Sequence, residues 1–76
     1  MAWVWSREKT YGELHVRDRG GFEGTYAVSY RPGYHGRAGS WATLTPAGWS
    51  VGVFDERADS EARCERHAGD RGLLAE

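Results

Sequence analysis

Residues 24–31 read GTYAVSYR, and two kinds of side chain alternate along them. Tyr26, Val28 and Tyr30 are large and largely apolar, whereas the residues between them are small or polar. Successive side chains of a β-strand point to opposite faces, so this period of two predicts a strand with one face against a core. We take this strand as the centre of a predicted sheet.

The segment before it alternates in the same way. Residues 11–17 read YGELHVR, with Leu14 and Val16 on one side and polar residues on the other. Between the two segments, residues 18–21 read DRGG, and glycines supply the positive φ angles that tight turns need. The two segments are therefore predicted to form a β-hairpin.

A second hairpin is predicted further along the chain. Residues 41–45 and 49–54 have strand composition, and Pro-Ala-Gly at 46–48 predicts a tight turn between them. The preceding segment, residues 31–40, is too rich in glycine and proline for a strand and predicts a long, mobile loop. Residues 1–6 contain Trp-Val-Trp, which we interpret as a short edge strand.

A single helix is predicted after the second hairpin. Asp55 is a suitable N-cap, Glu56 favours the first turn, and Gly69 suits the position after the last helical residue, which brackets a helix over 56–68. Ala58 and Ala62 are small enough for this helix to pack closely on a sheet of bulky side chains. The sheet residues predicted to face them are Tyr26, Val28, Tyr30, Trp49, Val51 and Val53.

These elements predict an α+β fold, with an antiparallel β-sheet of three to four strands in two hairpins, followed by one C-terminal α-helix packed on one face. We expect a single domain over residues 1–76, in which residues 70–76 form a tail. Leu73 and Leu74 in this tail either fold back onto the domain or remain free.

Composition restricts the function and the compartment. The 76 residues carry ten Lys plus Arg against eleven Asp plus Glu, a formal charge of −1, which argues against a surface built to bind phosphates. Cys64 is the one cysteine, so an internal disulfide is excluded and a reducing cytosol is favoured. No apolar run approaches the length of a membrane span. We expect a cytoplasmic protein with no membrane partner.

Cys64 and His67 are the residues nearest to a chemical motif. They are three positions apart on the predicted helix, a spacing that suits half of a zinc site whose other half would be His15 and His35. The alternative, which we favour, is a small buried cysteine beside a solvent-facing histidine. The sequence indicates no oxyanion loop and no substrate cleft around this pair. We therefore expect no metal, no cofactor, no small-molecule substrate and no enzymatic activity.

The glycine-rich loop is the first candidate binding site. Tyr34, His35 and Arg37 stand on this segment, and Trp41 follows it. Aromatic and basic side chains on a mobile loop are typical contact points for a partner.

The aromatic residues allow an alternative in which the protein binds DNA or RNA. Stacking would involve Tyr26, Tyr30, Trp41 and Trp49 on neighbouring strands. The residues that would meet phosphates are Arg17, Arg19, Arg31 and Arg37. The competing interpretation, which we favour, is that the same aromatic residues fill the core of the sheet.

One segment resembles known small proteins. Residues 48–63, GWSVGVFDERADSEAR, form a predicted strand ending in Gly-x-Phe-Asp and a helix that starts with acidic residues and alanine. This segment resembles the closing strand and helix of small sheet-plus-helix proteins of high-GC actinobacteria and their phages, mostly of unassigned function. More loosely, it is similar to the arm-type DNA-binding domain of tyrosine recombinases, a three-stranded sheet packed on a C-terminal helix. The first resemblance implies an actinobacterial or phage origin, and the second implies DNA binding.

Size, near-neutral charge and the lack of a catalytic motif together predict a small interaction module. We expect it to bind a partner protein, or a second copy of itself, through a sheet edge or through the loop at 31–40. Nucleic-acid binding through the aromatic and arginine residues is the alternative.

Overall fold

The computed structural model describes residues 3–33 and 35–75. The elements in chain order are β1 (Trp3–Trp5), β2 (Tyr11–Arg17), β3 (Glu23–Arg31), β4 (Ser40–Leu44), β5 (Ser50–Phe54), α1 (Arg57–Asp70) and β6 (Leu74–Ala75). The predicted α+β class, an antiparallel sheet with one helix on one face, is confirmed. The strand count is corrected, because six strands rather than three to four lie within the described residues.

The sheet follows the order β1-β2-β3-β4-β5, and every pairing is antiparallel. The two additional strands share one edge. Trp3 pairs with Leu14, and Ala75 pairs with Val16, so β1 and β6 lie end to end along β2. The short edge strand predicted within residues 1–6 corresponds to β1. The two residues of β6 carry too little alternation to be predicted from the sequence.

Two turns at the same end of the sheet are closed by side chains. Asp18 Oδ1 accepts hydrogen bonds from the backbone N–H groups of Gly20 and Phe22, both at 2.8 Å. In the turn between β4 and β5, Thr45 N–H donates to the Trp49 carbonyl at 2.8 Å, and Trp49 N–H donates to Thr45 Oγ1 at 3.1 Å. Both turns therefore hold the residue that follows the glycine in a fixed position.

The helix differs from its prediction at both ends. Glu56 rather than Asp55 is the N-cap, and no side chain caps the helix there. Gly69 lies inside the helix, and Gly72, with φ of 72°, ends it. Leu73 N–H donates to the Ala68 carbonyl at 2.8 Å, and Gly72 N–H donates to the Gly69 carbonyl at 3.0 Å, a Schellman motif. Among the described residues, no helix has the length and apolar character to cross a membrane.

The face that α1 packs on the sheet also differs from its prediction. Ser60, Cys64 and Ala68 are buried, whereas Ala58 and Ala62 are exposed. The buried residues recur every four positions, which places them on one stripe of the helix. Ala58 and Ala62 lie about 200° around the axis from Ser60, so the predicted contact through these alanines is wrong.

The core is small and lies between the sheet and α1. Its fully or almost fully buried apolar residues are Leu14, Val16, Tyr26, Val28, Cys64 and Ala68. Of the predicted sheet residues, Tyr26 and Val28 are confirmed as core, and Val51 packs against it. Trp49, which is 74% exposed, and Val53 are not core residues. Tyr30 is at the boundary of exposure and packs on Trp41.

A bulge explains why Val53 lies outside the core. Ala42 pairs with Val53 and Leu44 pairs with Ser50, so the register shifts between these pairs. Gly52 has a φ of 138° within this irregularity. An extra residue in one strand reverses the faces of the residues beyond it, so Val51 and Val53 face opposite sides.

Aromatic rings extend the core across the sheet. The Trp5 indole lies over Gly12, because a Cβ atom at Gly12 would be 2.7 Å from the ring. Trp5 reaches Trp41 of β4 in an edge contact with centroids 6.0 Å apart, and it stacks on Trp3 at 5.9 Å. Trp3 Nε1–H donates to Glu65 Oε2 at 2.8 Å, which ties β1 to α1.

The segment predicted as a tail is built into the domain over its described part. Leu73 packs against the core, and β6 pairs with β2. Of the two alternatives that the sequence left open, the structure therefore shows the one in which these residues fold back.

Candidate functional site

One face of the sheet is covered by α1, and none of the described elements covers the other, which we call the open face. Its side chains belong to positions that alternate with the core positions of each strand. The residues of the open face are Val4, Tyr11, Glu13, His15, Arg17, Glu23, Thr25, Ala27, Ser29, Arg31, Ser40, Ala42, Leu44, Ser50, Val53 and Leu74.

Two neighbouring rows cross the open face from strand to strand. The first row is Val4, Glu13, Ala27, Leu44 and Ser50, and the second is Tyr11, Ser29, Ala42 and Val53. In the second row the two middle positions are small and the two outer positions are large. In the first row the small Ala27 lies between Glu13 and Leu44. This arrangement leaves a groove of about 330 Å³ between Tyr11 on one side and Leu44 and Val53 on the other.

The open face holds an unusual share of exposed apolar surface. Of the eight large hydrophobic residues that are exposed in the described chain, five lie on this face. They are Val4, Tyr11, Leu44, Val53 and Leu74. Scattered exposed apolar residues need no explanation, but a contiguous apolar patch typically marks an interaction surface.

Polar groups of both charge signs accompany this patch. Glu13 stands beside Tyr11, and partial burial followed by the Glu13 charge raises the pKa of the Tyr11 phenol. Arg31 lies at one end of the face, opposite Ser40. His15 forms a hydrogen bond of 3.1 Å with the hydroxyl of Thr25.

The predicted loop site is not assembled with Trp41. His35 and Arg37 are exposed in the loop between β3 and β4, whereas Tyr34 lies outside the described residues. Trp41 belongs to β4 and lies on the helix-covered face, where its ring contacts Trp5 and Tyr30.

The residues of the predicted nucleic-acid surface are also separated. Tyr26, Tyr30 and Trp41 lie on the helix-covered face. The arginines lie elsewhere: Arg17 and Arg31 are on the open face, Arg19 is in the turn after β2, and Arg37 is in the loop after β3. Strand alternation thus places the aromatic rings and the sheet arginines on opposite sides.

Cys64 and His67 have different environments. Cys64 is fully buried, and this burial raises the pKa of its thiol to about 11. His67 Nδ1 is 2.6 Å from the hydroxyl oxygen of Tyr26. His15, on the open face, is on the opposite side of the sheet from Cys64. Over residues 3–33 and 35–75, no group of three or more His, Cys, Asp or Glu side chains is arranged to hold a metal ion.

Sequence reasoning missed the open face as a candidate site. In the alternating pattern of their strands, Tyr11 and Leu44 occupy positions that face away from the core. This alternation was the available sequence signal for the open face. Val53 gave no such signal, because the bulge at Gly52 reverses its face.

Comparisons of the chain with protein-family models, with curated proteins and with solved structures found no match.

Proposed function

We propose that this protein is a non-enzymatic interaction module that associates through its open face, and that a second copy of the chain occupies this face. The observation that carries the proposal is the concentration of five of the eight exposed large hydrophobic residues on one uncovered side of the sheet. Burial of apolar surface is the main favourable term in protein association.

The shape of the open face supports a second copy as the occupant. A ridge formed by Leu44 and Val53 lies beside the groove over Ala27 and Ala42. A two-fold axis between two copies would place the ridge of each in the groove of the other, which is the self-complementary arrangement of symmetric dimers. Small residues along the groove allow two sheets to approach to about 10 Å.

The charges on the face support the same occupant. Glu13 and Glu23 are acidic, and Arg17 and Arg31 are basic, so the face carries both signs in equal number. Two copies related by a two-fold axis can therefore meet without net repulsion, and opposite charges can pair at the rim.

The size of the face sets the expected affinity. Five strands span about 24 Å, and strands of about six residues span about 20 Å, so each copy offers about 500 Å². The pair would bury about 1,000 Å², which is the lower limit for a specific interface. A weak dimer with a dissociation constant of about 1–100 μM is the expected result.

The sheet edges are less suited to this role. One edge is shared by β1 and β6, which have three and two residues. The other edge is β5, where the bulge at Gly52 interrupts the pairing pattern and Gly52 N–H donates to Ser50 Oγ at 3.3 Å. Short and bulged edges are the devices by which sheets avoid pairing with another strand.

Sedimentation velocity over about 1 μM to about 1 mM protein tests the proposal. The wild type is expected to change from monomer to dimer, whereas Leu44→Glu is expected to remain monomeric because it places a carboxylate on the ridge. Ala62→Glu is the matched control, since it adds the same charge at an exposed helix position and should dimerise like the wild type.

Two results would overturn the proposal. The first is a wild-type protein that stays monomeric at about 1 mM, and the second is a Leu44→Glu variant that dimerises as well as Ala62→Glu. Oligonucleotide binding that weakens steeply with salt, observed for a monomeric wild type, would favour the nucleic-acid alternative instead.

A further inference from the structure

A second concave surface lies at the end of the sheet where two turns meet the end of α1. This cleft has a volume of about 550 Å³ and shares only Ser50 with the open face. Small-molecule sites commonly have volumes of about 300–1,000 Å³ and combine apolar walls with a few convergent polar groups. The cleft has both features.

The apolar walls are aromatic and unusually exposed. Trp49 is 74% exposed and Phe22 is 49% exposed, and both line the cleft. Pro46 packs beside Phe22, because a Cβ atom at Gly24 would be 2.6 Å from Pro46 Cβ and 3.0 Å from Phe22 Cζ. Because both exposed rings line the same cleft, they provide a surface on which a planar ligand can stack.

The backbone positions of these two aromatic residues are fixed. Phe22 N–H is held by Asp18 Oδ1 at 2.8 Å, and Trp49 N–H is held by Thr45 Oγ1 at 3.1 Å. Each turn is also closed by a backbone hydrogen bond between the same two residues. Binding a ligand here would therefore require little ordering of the protein, which favours affinity.

The polar end of the cleft presents donors. Tyr26 is buried, and this burial raises the pKa of its phenol. The Tyr26 hydroxyl and His67 Nδ1 form a hydrogen bond of 2.6 Å, so Nε2 is the ring nitrogen of His67 that remains for a ligand. Arg71 lines the same cleft, and none of the described carboxylates lies within ion-pair distance of its guanidinium.

Asp18 is the one carboxylate among the described residues that line the cleft, and one of its oxygen atoms is engaged within its turn. Asp18 Oδ1 accepts two backbone hydrogen bonds within its turn. Carbonyl groups at the end of α1 accept from the N–H groups of Arg71, Gly72 and Leu73. Within the described residues no carboxylate pairs with Arg71, and a guanidinium matches the oxygen atoms of a carboxylate or phosphate.

We propose that the cleft binds a small anion that carries a planar ring, with the ring against Trp49 and Phe22 and the anionic oxygen atoms on Arg71 and His67. A carboxylate and a phosphate are the two sources of such oxygen atoms. The sequence did not indicate a small-molecule ligand, because the cleft forms only where the β2–β3 turn and the β4–β5 turn lie side by side in the folded sheet. An aromatic residue directly after each turn, at Phe22 and at Trp49, was the available signal.

Titrations followed by ¹H–¹⁵N NMR test the proposal. Phenylacetate represents the carboxylate source and adenosine 5′-monophosphate the phosphate source, with phenylacetamide and adenosine as neutral counterparts. At least one anion is expected to shift the signals of Phe22, Trp49 and His67 and to bind at least about 10-fold more tightly than its neutral counterpart. The tighter anion identifies the source.

Variants separate binding in the cleft from general attraction of anions. Arg71→Gln is expected to weaken binding at least about 10-fold, and Trp49→Ala at least about 5-fold. Arg66→Gln, an equal loss of charge at an exposed helix residue outside the cleft, should bind as the wild type does.

The proposal fails if neither anion shifts these signals at about 10 mM, if the neutral counterparts bind equally well, or if Arg71→Gln and Arg66→Gln have equal affinity. The Leu44→Glu variant should retain the binding, because Leu44 does not line the cleft. Binding by this variant would show that the cleft binds the anion whether or not the protein dimerises.

Discussion

At the scale of single residues, Gly12 has a packing role that depends on its lack of a side chain. It lies in β2 two residues before the core residue Leu14 and directly opposite Trp5 of β1. The absence of a side chain lets the Trp5 ring lie flat over the sheet and reach Trp41 two strands beyond β2. An aromatic layer thereby joins β1 to β4, which adds apolar burial to a core of only six buried apolar residues.

Gly12→Ala is expected to destabilise the fold by about 1–3 kcal/mol, because the new methyl group would overlap the Trp5 ring. Urea denaturation measures this change. Gly69→Ala is the matched control, since that position has open space inside a helix and should gain about 0.5–1 kcal/mol. A loss of stability in both variants, or in neither, would contradict the packing of Trp5 over Gly12.

Cys64 links stability to alkaline pH. Burial raises its pKa from the ordinary value of 9.0 to about 11, so the folded state retains the thiol proton more tightly than the unfolded chain does. The protonated thiol therefore contributes its full stabilisation of the folded state below about pH 9, and this stabilisation is lost as the pH rises through about 11. The raised pKa of Tyr26, caused first by burial, acts in the same direction.

The free energy of unfolding is expected to fall by about 1–2 kcal/mol between about pH 8 and about pH 11. Urea denaturation at several pH values measures the slope. Cys64→Ala should lower stability at neutral pH but show a shallower decline, because the ionisable group is absent. Equal slopes for the two proteins would show that the thiol does not contribute.

At the scale of elements, the position of α1 on the sheet depends on a stripe of small residues. Ser60, Cys64 and Ala68 recur every four positions and face the sheet, which lets the helix approach large side chains such as Tyr26. Sequence reasoning identified the need for small residues but chose Ala58 and Ala62. Small residues lie on different sides of this helix, so its rotation about its axis is undetermined until the bulk of the sheet is known.

Ala68→Leu is expected to overpack this junction and to cost about 1–3 kcal/mol. Ala62→Leu adds the same side chain at an exposed position of the same helix and should stay within about 0.5 kcal/mol of the wild type. Thermal and urea unfolding measure both variants. If Ala62→Leu were less stable than Ala68→Leu, α1 would have to pack on the sheet through Ala62, contrary to the structure.

At the scale of the whole molecule, the sheet is covered on one side and open on the other. A core of this size contributes only a few kcal/mol in a chain of 76 residues, so additional burial would have a large relative effect. The proposed dimer supplies this burial through the open face. The cleft at the turns shares only Ser50 with that face, so we expect it to remain accessible in such a dimer.

Coupling between association and folding is the expected consequence. If the open face binds a second copy, the melting temperature of the wild type should rise with protein concentration by mass action. Leu44→Glu should show a melting temperature that is independent of concentration. Calorimetry over a 100-fold range, about 5 μM to about 500 μM, compares the two proteins, and identical behaviour would argue against association through this face.

The sequence by itself determined the local features of this protein. Alternation in residues 11–17 and 24–31 predicted β2 and β3, and the turns after β2 and β4 followed from glycine, proline and aspartate. The α+β class and the single helix followed in the same way. These features depend on side-chain period and on backbone preferences of neighbouring residues, so the pattern along the chain is sufficient for them.

The tertiary structure alone decided which surfaces are exposed. The bulge at Gly52 places Val53 on the open face. The Trp5 ring packs over Gly12, which holds β1 against the sheet. The β2–β3 turn and the β4–β5 turn bring Phe22 and Trp49 to one cleft. Each outcome depends on contacts between residues far apart in the chain. Such contacts leave no periodic signal in the sequence, because they depend on the volume that distant side chains leave to one another.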